Sequence, residues 1–593
     1  MSEGGIPFSD CVLHSKQHLI GLVRMESPLR GMNLPKTRFR SAPLSKSLEK
    51  VRGFHNLQTY FPTLSKLFRI TKHQSNQVWL DSKYRITTLD ISGTSGTCHV
   101  GLSHNVDSSG ESEISHETTA FLKVTHLLDP IRWMKGEYSL PKHTGLPWHS
   151  KTWAAAWTKL QDPYKQAYTE VVASYALSKL RDAGVSPHFN EFYGAFCARA
   201  EVYRYNLTEE FKSFRNSRWF WHGQKRGLYR LHVTHSKDTG EPVSEETLKE
   251  ILHEPSEYSN DSSSEEEIEV DVVDDDVDVD IDVMSLHSDK MSDISFTKED
   301  VDENEESGIT EETDETEIED EYRIYSEIHN FPIMMIGIEK NNGTMDSLLD
   351  DYTEVGSSPG SEEWELKWSA WIFQVIAALS VAQAVIGFTH NDLHTNNIVW
   401  INTTDEFLYY TKLSGEVFKV PTYGKLFRII DFGRSIYSIN QQRFFSDDFK
   451  SGNDADGQYC FKPLYSKPNH EVLPNPSFDL ARLSVSLFDA IFPDPPEDKE
   501  GGTVLSSEEG VEMMETVSPL YNTLWSWMID DNGCNILVDP SGEERFPDFD
   551  LYKHIAASVH GAVPSLQFSA PPFDRFQVNP SEIDDVKKWP LFA

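Results

Sequence analysis

The sequence predicts an α+β protein whose first part is rich in β-type segments and whose second part is mostly helical. Three observations support this fold class. Short alternating segments with turn residues dominate before a long acidic run, apolar segments of helical spacing dominate after it, and the run itself has the low complexity of an insertion. A chain of 593 residues is long enough for such an arrangement.

Most of the net charge belongs to the insertion. The chain has 94 acidic and 54 basic residues, a net charge of −40, and residues 254–321 alone contain 30 Asp/Glu and 2 Lys. Self-repulsion within stretches such as DVVDDDVDVDIDV predicts that this insert is disordered. The acidic pI therefore describes an insert in the small lobe rather than the folded lobes.

The predicted small lobe, 86–340, contains this insert and follows an N-terminal extension. Residues 1–85 carry 14 Lys/Arg against 5 Asp/Glu, which predicts a basic, partly irregular N-terminal extension. A strand–turn–strand pattern with Gly93 and Gly96 follows, and then the strand TTAFLKV. The next segment has helical spacing over 164–182, and SPHFNEFYGAF is predicted to be a strand.

Residues 211–237 form a basic-aromatic segment, which we expect to depart from compact structure. It contains seven Lys/Arg and no acid, together with six large aromatic residues. Three interpretations remain open. The segment could bind nucleic acid through phosphates and stacking, it could hold the neighbouring acidic insert, or it could be a charged surface elaboration of the small lobe.

The predicted large lobe, 341–593, begins with a strongly apolar stretch. The run 371–388 approaches the composition of a membrane span, but it includes Gln374, Ser380 and Gln383 and leads into a polar loop, so a buried helix is predicted and no membrane contact is expected. A hairpin is expected around Gly415. Five scattered cysteines without CxxC spacing favour a reducing, intracellular and cytoplasmic location over a disulfide or zinc framework, and no signal peptide is visible at the N-terminus.

Two short motifs in the large lobe carry the chemistry. His390-Asn391-Asp392-Leu393-His394-Thr395-Asn396-Asn397 matches the H-x-D-L-x-x-x-N catalytic loop of protein kinases, and Asp431-Phe432-Gly433 matches D-F-G. The spacing suits the chemistry, because one loop must present an Asp to an attacking hydroxyl and an Asn to a magnesium ion. We therefore predict Asp392 as a catalytic residue and Asn397 and Asp431 as magnesium ligands.

The small lobe offers the partners of these motifs in the expected order. Lys123 resembles the strand lysine that pairs with the phosphates of ATP, and Glu170 is the predicted helix glutamate that orients it. Gly93 and Gly96 are candidates for a phosphate-covering turn, although they do not form G-x-G-x-x-G. The strand FPIMMIGIEK ends at Glu339 before a polar turn, which suits a segment whose backbone binds adenine.

These motifs resemble the protein-kinase-like superfamily over roughly 86–570. The segments THNDLHTNNIVW, VPTYGKLFRIIDFGRSIY and IMMIGIEKNNGTMDSLL are most similar to divergent Ser/Thr kinases encoded by large cytoplasmic DNA viruses. The resemblance implies a two-lobed kinase fold, the cofactors ATP and Mg²⁺, and transfer of phosphate to Ser or Thr. It identifies no protein substrate, and self-phosphorylation is among the possibilities.

Several positions depart from the pattern. Asn391 replaces the usual Arg, no A-P-E follows D-F-G, and His394 stands where protein kinases usually have a phosphate-contacting Lys, so His394 is included among the catalytic candidates. The D-L-H form also occurs in aminoglycoside and choline phosphotransferases, which keeps a small-molecule acceptor open, as well as a pseudokinase scaffold. Asp479 opens a predicted helix and is either a helix cap or a buried acceptor for the backbone of the catalytic loop.

Deletion of residues 254–321 tests whether the acidic insert acts on the basic-aromatic segment. If the insert occupies that segment, the deletion should raise the affinity for DNA or phosphotransfer activity, and the gain should shrink as salt rises. Binding and activity would be compared across ionic strength with the full chain as reference, and no change in either quantity would contradict the interaction.

Overall fold

The computed structural model describes residues 37–70, 77–91, 96–104, 116–138, 154–236, 243–255, 258, 322–462, 464, 471–506, 510–583 and 586–593. The strands are β1 (Phe39–Ser41), β2 (Phe54–Gln58), β3 (Val78–Leu80), β4 (Tyr84–Asp90), β5 (Thr97–His104), β6 (His116–His126), β7 (Phe192–Asn206), β8 (Arg230–His235), β9 (Tyr322–Glu339), β10 (Gly343–Thr344), β11 (Ile398–Asn402), β12 (Phe407–Lys412), β13 (Val417–Pro421), β14 (Lys425–Ile429), β15 (Tyr437–Ile439), β16 (Gln442–Phe444), β17 (Gln577–Val578) and β18 (Trp589–Leu591). The α-helices are α1 (Pro62–Leu67), α2 (Pro130–Lys135), α3 (Ala154–Gln161), α4 (Gln166–Asp182), α5 (Thr208–Arg215), α6 (Arg218–Lys225), α7 (Glu245–Ile251), α8 (Asp346–Asp350), α9 (Tyr352–Val355), α10 (Glu362–Ile386), α11 (Phe478–Ile491), α12 (Pro519–Trp527), α13 (Phe549–Ser558) and α14 (Pro571–Asp574). The predicted α+β class is confirmed, and the arrangement is compatible with two lobes.

One antiparallel sheet organises the first part of the chain. Its strands follow the order β2-β7-β9-β6-β5-β4, and β8 pairs with the first part of β9. The long strands β7 and β9 pair along thirteen positions and form its centre, while β6 pairs with the end of β9. Helix α4 is buried along most of its length and packs against this sheet. The strands therefore hold β6 and α4 side by side, which positions the charged residues on both.

The second part of the chain is built around α10. Ser361 caps its first turn by accepting a hydrogen bond from the backbone N–H of Trp364, and Gly387 ends it in the left-handed conformation at φ +59°. The helix is long and apolar enough to cross a membrane, yet 83% of its most apolar 18-residue stretch is buried inside the protein. Trp364, Trp368 and Trp371 pack in series along it at centroid distances of 5.5 and 5.3 Å. The prediction of a buried core helix is confirmed.

A four-stranded sheet joins the predicted hairpin to the end of the chain. Strands β12 and β13 form the hairpin, with Gly415 in the turn at φ +97°, and they pair with β18 and β17 respectively. The hairpin lies between β11 and β14, which pair directly with one another. It thus lengthens the chain between the two motifs without separating the strands that carry them.

The described part of the predicted N-terminal extension is more ordered than expected. Strand β2 pairs with β7 at the edge of the main sheet, and Leu48, Phe61 and Leu64 are buried. These scattered apolar side chains cover the edge strand and α4, whereas the basic residues between them dominate the composition that we used for the prediction. Residues 1–36 and Gly93 lie outside the described residues, as does nearly all of the acidic insert (259–321).

The basic-aromatic segment also differs from the prediction, because most of its aromatic side chains form a core. It folds into α5, α6 and β8, and Phe211, Phe220, Trp221 and Tyr229 are at most 4% exposed. Buried rings cannot stack on bases, so of the six aromatic side chains Phe214 and Trp219, which are partly exposed, remain candidates for stacking. The exposed positions of the two helices include Lys212, Arg218 and Lys225 but also the acidic Glu209, and Lys225 pairs with Glu254 at 2.7 Å.

A buried histidine connects the two parts of the chain. His188, between α4 and β7, contacts the carbonyl oxygen of Phe427 through Nδ1 at 2.8 Å and the hydroxyl of Tyr410 through Nε2 at 2.8 Å. The neutral ring satisfies both contacts, with Nδ1–H donating to the carbonyl and Nε2 accepting from the phenol. Burial lowers the pKa of His188 from 6.5 to about 4.

The free energy of unfolding should fall as the pH drops from 6.5 towards 4, because His188 binds a proton in the unfolded chain but not in the folded one. This residue can contribute a slope of up to about 1.4 kcal/mol per pH unit. Urea unfolding at several pH values would show a shallower slope for His188→Gln, whereas substitution of the exposed His329 should leave the slope as it is. An unchanged slope in His188→Gln would contradict the assignment.

Candidate active site

A cavity of about 500 Å³ separates the main sheet from β11 and β14. Its walls are apolar side chains of both parts of the chain, including Phe121, Leu177, Ile338, Val399 and Ile429. Its polar lining includes five of the predicted site residues: Lys123, Glu170, His394, Asn397 and Asp431. A cavity that combines apolar walls with a few charged and polar groups suits a ligand that has a flat ring and a charged tail.

Lys123 links the sheet, α4 and the D-F-G turn. Its ammonium group lies 2.8 Å from Glu170 Oε1 and 2.8 Å from Asp431 Oδ1. Glu170 is only 4% exposed and points from α4 towards β6. Burial alone would raise the pKa of Asp431, but the neighbouring Lys123 outweighs it, so the pKa is lowered and the carboxylate is ionised at neutral pH.

Asp479 anchors the catalytic loop by its backbone. Its carboxylate accepts hydrogen bonds from the backbone N–H groups of His390, at 2.9 and 3.0 Å, and of Asn391, at 3.0 Å. Asn391 has φ +64°, a conformation that favours Asn or Gly, and its side chain donates to the carbonyl oxygen of Arg434 and accepts from the hydroxyl of Tyr459. The sequence allows two roles for Asp479, a helix cap or a buried acceptor for the catalytic loop. The structure supports the buried acceptor.

Asp392 projects from this loop into a cluster of cationic groups. Burial would raise its pKa, but the guanidinium groups of Arg434 and Arg482 are close enough to outweigh burial, and the pKa is lowered. The hydroxyl of Tyr552 donates to Asp392 Oδ1 at 2.9 Å, and Arg434 lies 3.8 Å from the same oxygen. The carboxylate is thus ionised and able to accept a proton from a hydroxyl.

Asn397 and His394 complete the loop. The Asn397 amide nitrogen donates to the carbonyl oxygen of Asp392 at 2.9 Å and lies 3.0 Å from His394 Nε2. These contacts leave Asn397 Oδ1 without a partner among the described residues. Burial lowers the pKa of His394, and Asp392 offsets this only in part, so the imidazole is neutral at pH 7 and carries no charge comparable to that of a lysine.

The turn between β4 and β5 is described from Gly96 onwards. Gly96 has φ +69°, and a Cβ at this position would lie 2.8 Å from the ring of Phe121, so the close approach to β6 requires glycine. The next residue, Thr97, lines the cavity. Gly96 therefore lies beside the site, whereas the structure describes no position for Gly93.

The side chain of Glu339 lies behind the cavity, at the start of the turn whose backbone the sequence predicts to bind adenine. Ile338 and Lys340 line the cavity, but the side chain of Glu339 points to the opposite side of β9, where it pairs with Arg181 and, at 2.8 Å, with Arg428. Its backbone N–H donates to the carbonyl oxygen of Glu191. Because side chains alternate along a strand, Glu339 supports the cavity from behind, and the residues on either side of it form the wall.

Sequence reasoning missed three side chains that surround Asp392: Arg434, Arg482 and Tyr552. They come from the turn after D-F-G, from α11 and from α13, so up to 160 residues separate them from Asp392. No local motif marks them. The position of Arg482, three residues after Asp479 on α11, is the one signal that could have suggested a shared helix face.

Comparison with known proteins gives a short match. No family model matches the chain. It is 39% identical over 61 residues to serine/threonine-protein kinase haspin of Mus musculus and, equally, to that of Bos taurus. The match covers 10% of this chain and 8% of each relative, so the chain spans a small fraction of the relatives it matches. This local similarity indicates a relationship to protein kinases.

Replacing Asp479 by Asn should lower the free energy of unfolding by about 1–3 kcal/mol. The reason is that the amide nitrogen of Asn cannot accept a hydrogen bond, whereas both carboxylate oxygens of Asp479 accept hydrogen bonds from backbone N–H groups. The matched control is Asp448→Asn. Asp448 is also buried, but its Oδ2 accepts no hydrogen bond in the described structure and its cationic neighbour, Arg434 Nε, lies 4.0 Å away, so this change should cost less than the change at Asp479. Equal losses for both variants in urea unfolding would contradict the anchoring role of Asp479.

Proposed function

We propose that this protein is an ATP- and magnesium-dependent protein kinase that transfers the γ-phosphate to Ser or Thr hydroxyls. The observation that supports this most directly is the ammonium group of Lys123 between the carboxylates of Glu170 and Asp431, in a cavity that also contains Asn397. A strand lysine, a helix glutamate and the D-F-G aspartate form this constellation in protein kinases. The local similarity to haspin agrees with it.

The residues present fit ATP and magnesium. Ile338 and Val399 offer apolar walls for a purine, and Lys123 offers a cation for its phosphates. Asn397 Oδ1 and Asp431 offer the oxygen ligands that magnesium prefers. The described residues contain no cluster of three His, Cys, Asp or Glu side chains, so the remaining ligands would come from phosphate oxygens and water. When bound, magnesium neutralises the phosphates during transfer.

In the proposed mechanism, catalysis consists of positioning and charge neutralisation. Lys123, oriented by Glu170, binds the α- and β-phosphates. Asp392 accepts a hydrogen bond from the acceptor hydroxyl and takes its proton as the acceptor oxygen bonds to the γ-phosphorus and the bond to ADP breaks. His394 is neutral and can contribute a hydrogen bond rather than a charge.

One observation favours a second function. His394, in the D-L-H form that small-molecule phosphotransferases share, lines the cavity where protein kinases usually have a lysine. An aminoglycoside or choline acceptor is therefore the alternative, and a pseudokinase scaffold is the third. The relationship to kinases of large cytoplasmic DNA viruses and the cytoplasmic, viral-factory or virion location stay predictions from the sequence.

The basic-aromatic segment stays a proposed contact surface for nucleic acid or for the acidic insert. Its exposed cations support this role, because they can bind phosphates or carboxylates without help from the buried rings. Its aromatic core supports a third role, a rigid extension of the sheet.

Transfer of labelled γ-phosphate from Mg-ATP tests the proposed function. The acceptors would be the protein itself, casein, myelin basic protein and histone. Wild type should label Ser or Thr, chelation of magnesium should abolish labelling, and Asp392→Asn should lower the rate by about 10²–10⁴-fold because the general base is lost. The exposed Asp405→Asn serves as the matched control and should retain wild-type activity.

The outcomes separate the three candidate functions. Transfer to aminoglycosides or choline but not to proteins would identify a small-molecule kinase. Magnesium-dependent ATP binding without transfer would favour the scaffold. Absence of ATP binding would contradict the interpretation of the motifs and both phosphotransfer functions.

A further inference from the structure

A tyrosine from a distant helix bonds to the proposed catalytic carboxylate. The hydroxyl of Tyr552, on α13, donates to Asp392 Oδ1 at 2.9 Å, and the same hydroxyl accepts a hydrogen bond from Arg482 Nε at 2.9 Å. The three groups form a relay from a guanidinium through a phenol to a carboxylate. A phenol that accepts from a cation is a stronger donor, so the relay strengthens the bond to Asp392.

The tyrosine ring is held in place by its neighbours. It stacks on Phe549 at a centroid distance of 5.2 Å and an angle of 17°, and it packs against Phe478 at 6.1 Å. The Arg482 guanidinium lies 5.1 Å from the ring centroid. With the ring constrained by these contacts and its oxygen bonded twice, the hydroxyl occupies a defined position relative to Asp392.

Helix α11 acts on the catalytic loop at two points. Asp479 accepts hydrogen bonds from the backbone N–H groups of His390 and Asn391. Arg482, one turn later on the same face of the helix, donates a hydrogen bond to the Tyr552 hydroxyl. The first contact fixes the path of the loop. The second fixes the side chain that the loop presents, so a single helix sets both.

The contacts of Asp392 leave one carboxylate oxygen available. Tyr552 and Arg434 both contact Oδ1, and no described residue is bonded to Oδ2. Asp392 is 18% exposed, so the carboxylate is accessible from solvent. A carboxylate held by one oxygen presents the other in a fixed direction.

We propose that Tyr552, supported by Arg482, is a positioning residue for phosphotransfer, which holds Asp392 by Oδ1 so that Oδ2 meets the acceptor hydroxyl. This role rests on the proposed function. It assigns Tyr552 no contact with ATP, so it predicts an effect on turnover without an effect on nucleotide binding.

A competing interpretation gives the opposite result. A hydroxyl that donates to the catalytic carboxylate also resembles an acceptor hydroxyl, and Tyr552 would then block the site or be phosphorylated itself. The hydrogen bond from Arg482 argues against an acceptor role, because it occupies a lone pair of the Tyr552 hydroxyl oxygen that would have to face the γ-phosphorus. If Tyr552 did block the site or accept phosphate, Tyr552→Phe would raise activity on added substrates or remove a phosphotyrosine.

The test compares Tyr552→Phe, Arg482→Met and the double variant in the full chain. Tyr552→Phe should lower kcat about 10–100-fold, with an unchanged KM for Mg-ATP and an unchanged Kd for a Mg-nucleotide. Arg482 orients Asp392 through the Tyr552 hydroxyl and also lowers the pKa of Asp392 by its charge. The fold-loss from Arg482→Met should therefore be smaller in the Tyr552→Phe background than in wild type, and what remains of it reflects the charge. Tyr410→Phe, which removes another buried hydroxyl of the same part of the chain, is the matched control and should alter Tm without altering kcat.

The failures of the two proposals can be distinguished. If wild type transfers phosphate and Asp392→Asn does not, but Tyr552→Phe has wild-type kcat or a higher one, the positioning role is overturned and the proposed function stands. Multiplicative effects of the two single substitutions would also overturn it. If wild type transfers no phosphate to any acceptor, the proposed function fails and the positioning role fails with it.

Discussion

The contact between Lys123 and its two carboxylates connects the elements that form the site. Glu170 comes from α4, Asp431 from the turn after β14, and Lys123 from the sheet between them. Two ionised carboxylates in a poorly solvated cavity repel each other, and the shared ammonium group replaces that repulsion with two charge-assisted hydrogen bonds. The cluster still carries a net negative charge, which is a suitable environment for a divalent cation. The side chain of Lys123 therefore couples the positions of three elements: α4, the D-F-G turn and the sheet.

A second electrostatic arrangement determines the state of Asp392. Burial disfavours a charged carboxylate, but Arg434 and Arg482 are close enough to reverse the effect, and the neutral phenol of Tyr552 contributes direction rather than charge. The usual lysine two residues after the aspartate is absent, and the neutral His394 stands in its place. Cations from α11 and from the turn after D-F-G thus provide the field that a lysine of the loop itself would otherwise supply.

The rear of the cavity is stabilised by a further buried ionic group. Glu339 lies between Arg181 of α4 and Arg428 of β14, and Arg428 is only 2% exposed. Arg428 also donates to Asn190 Oδ1 at 3.1 Å. Removing one member of such a group would leave a buried charge without compensation, so the two parts of the chain are held in one relative position behind the cavity as well as in front of it.

The sequence alone determined the elements and motifs that depend on short-range pattern. Alternation predicts β4–β6, and helical spacing predicts α4 and α10. Two short motifs predict Asp392, Asn397 and Asp431 as site residues, because the chemistry needs the first two on one loop and the third at the end of a neighbouring strand. Only the tertiary structure decided which distant groups meet. Tyr552 on Asp392, Glu339 turned to Arg428 and the buried rings of 211–237 depend on the packing of elements many residues apart, and such contacts leave no periodicity or spacing in the sequence. The prediction that the basic-aromatic segment departs from compact structure was wrong for the same reason. It rested on the number of rings and charges, which does not show on which side of a helix each one lies.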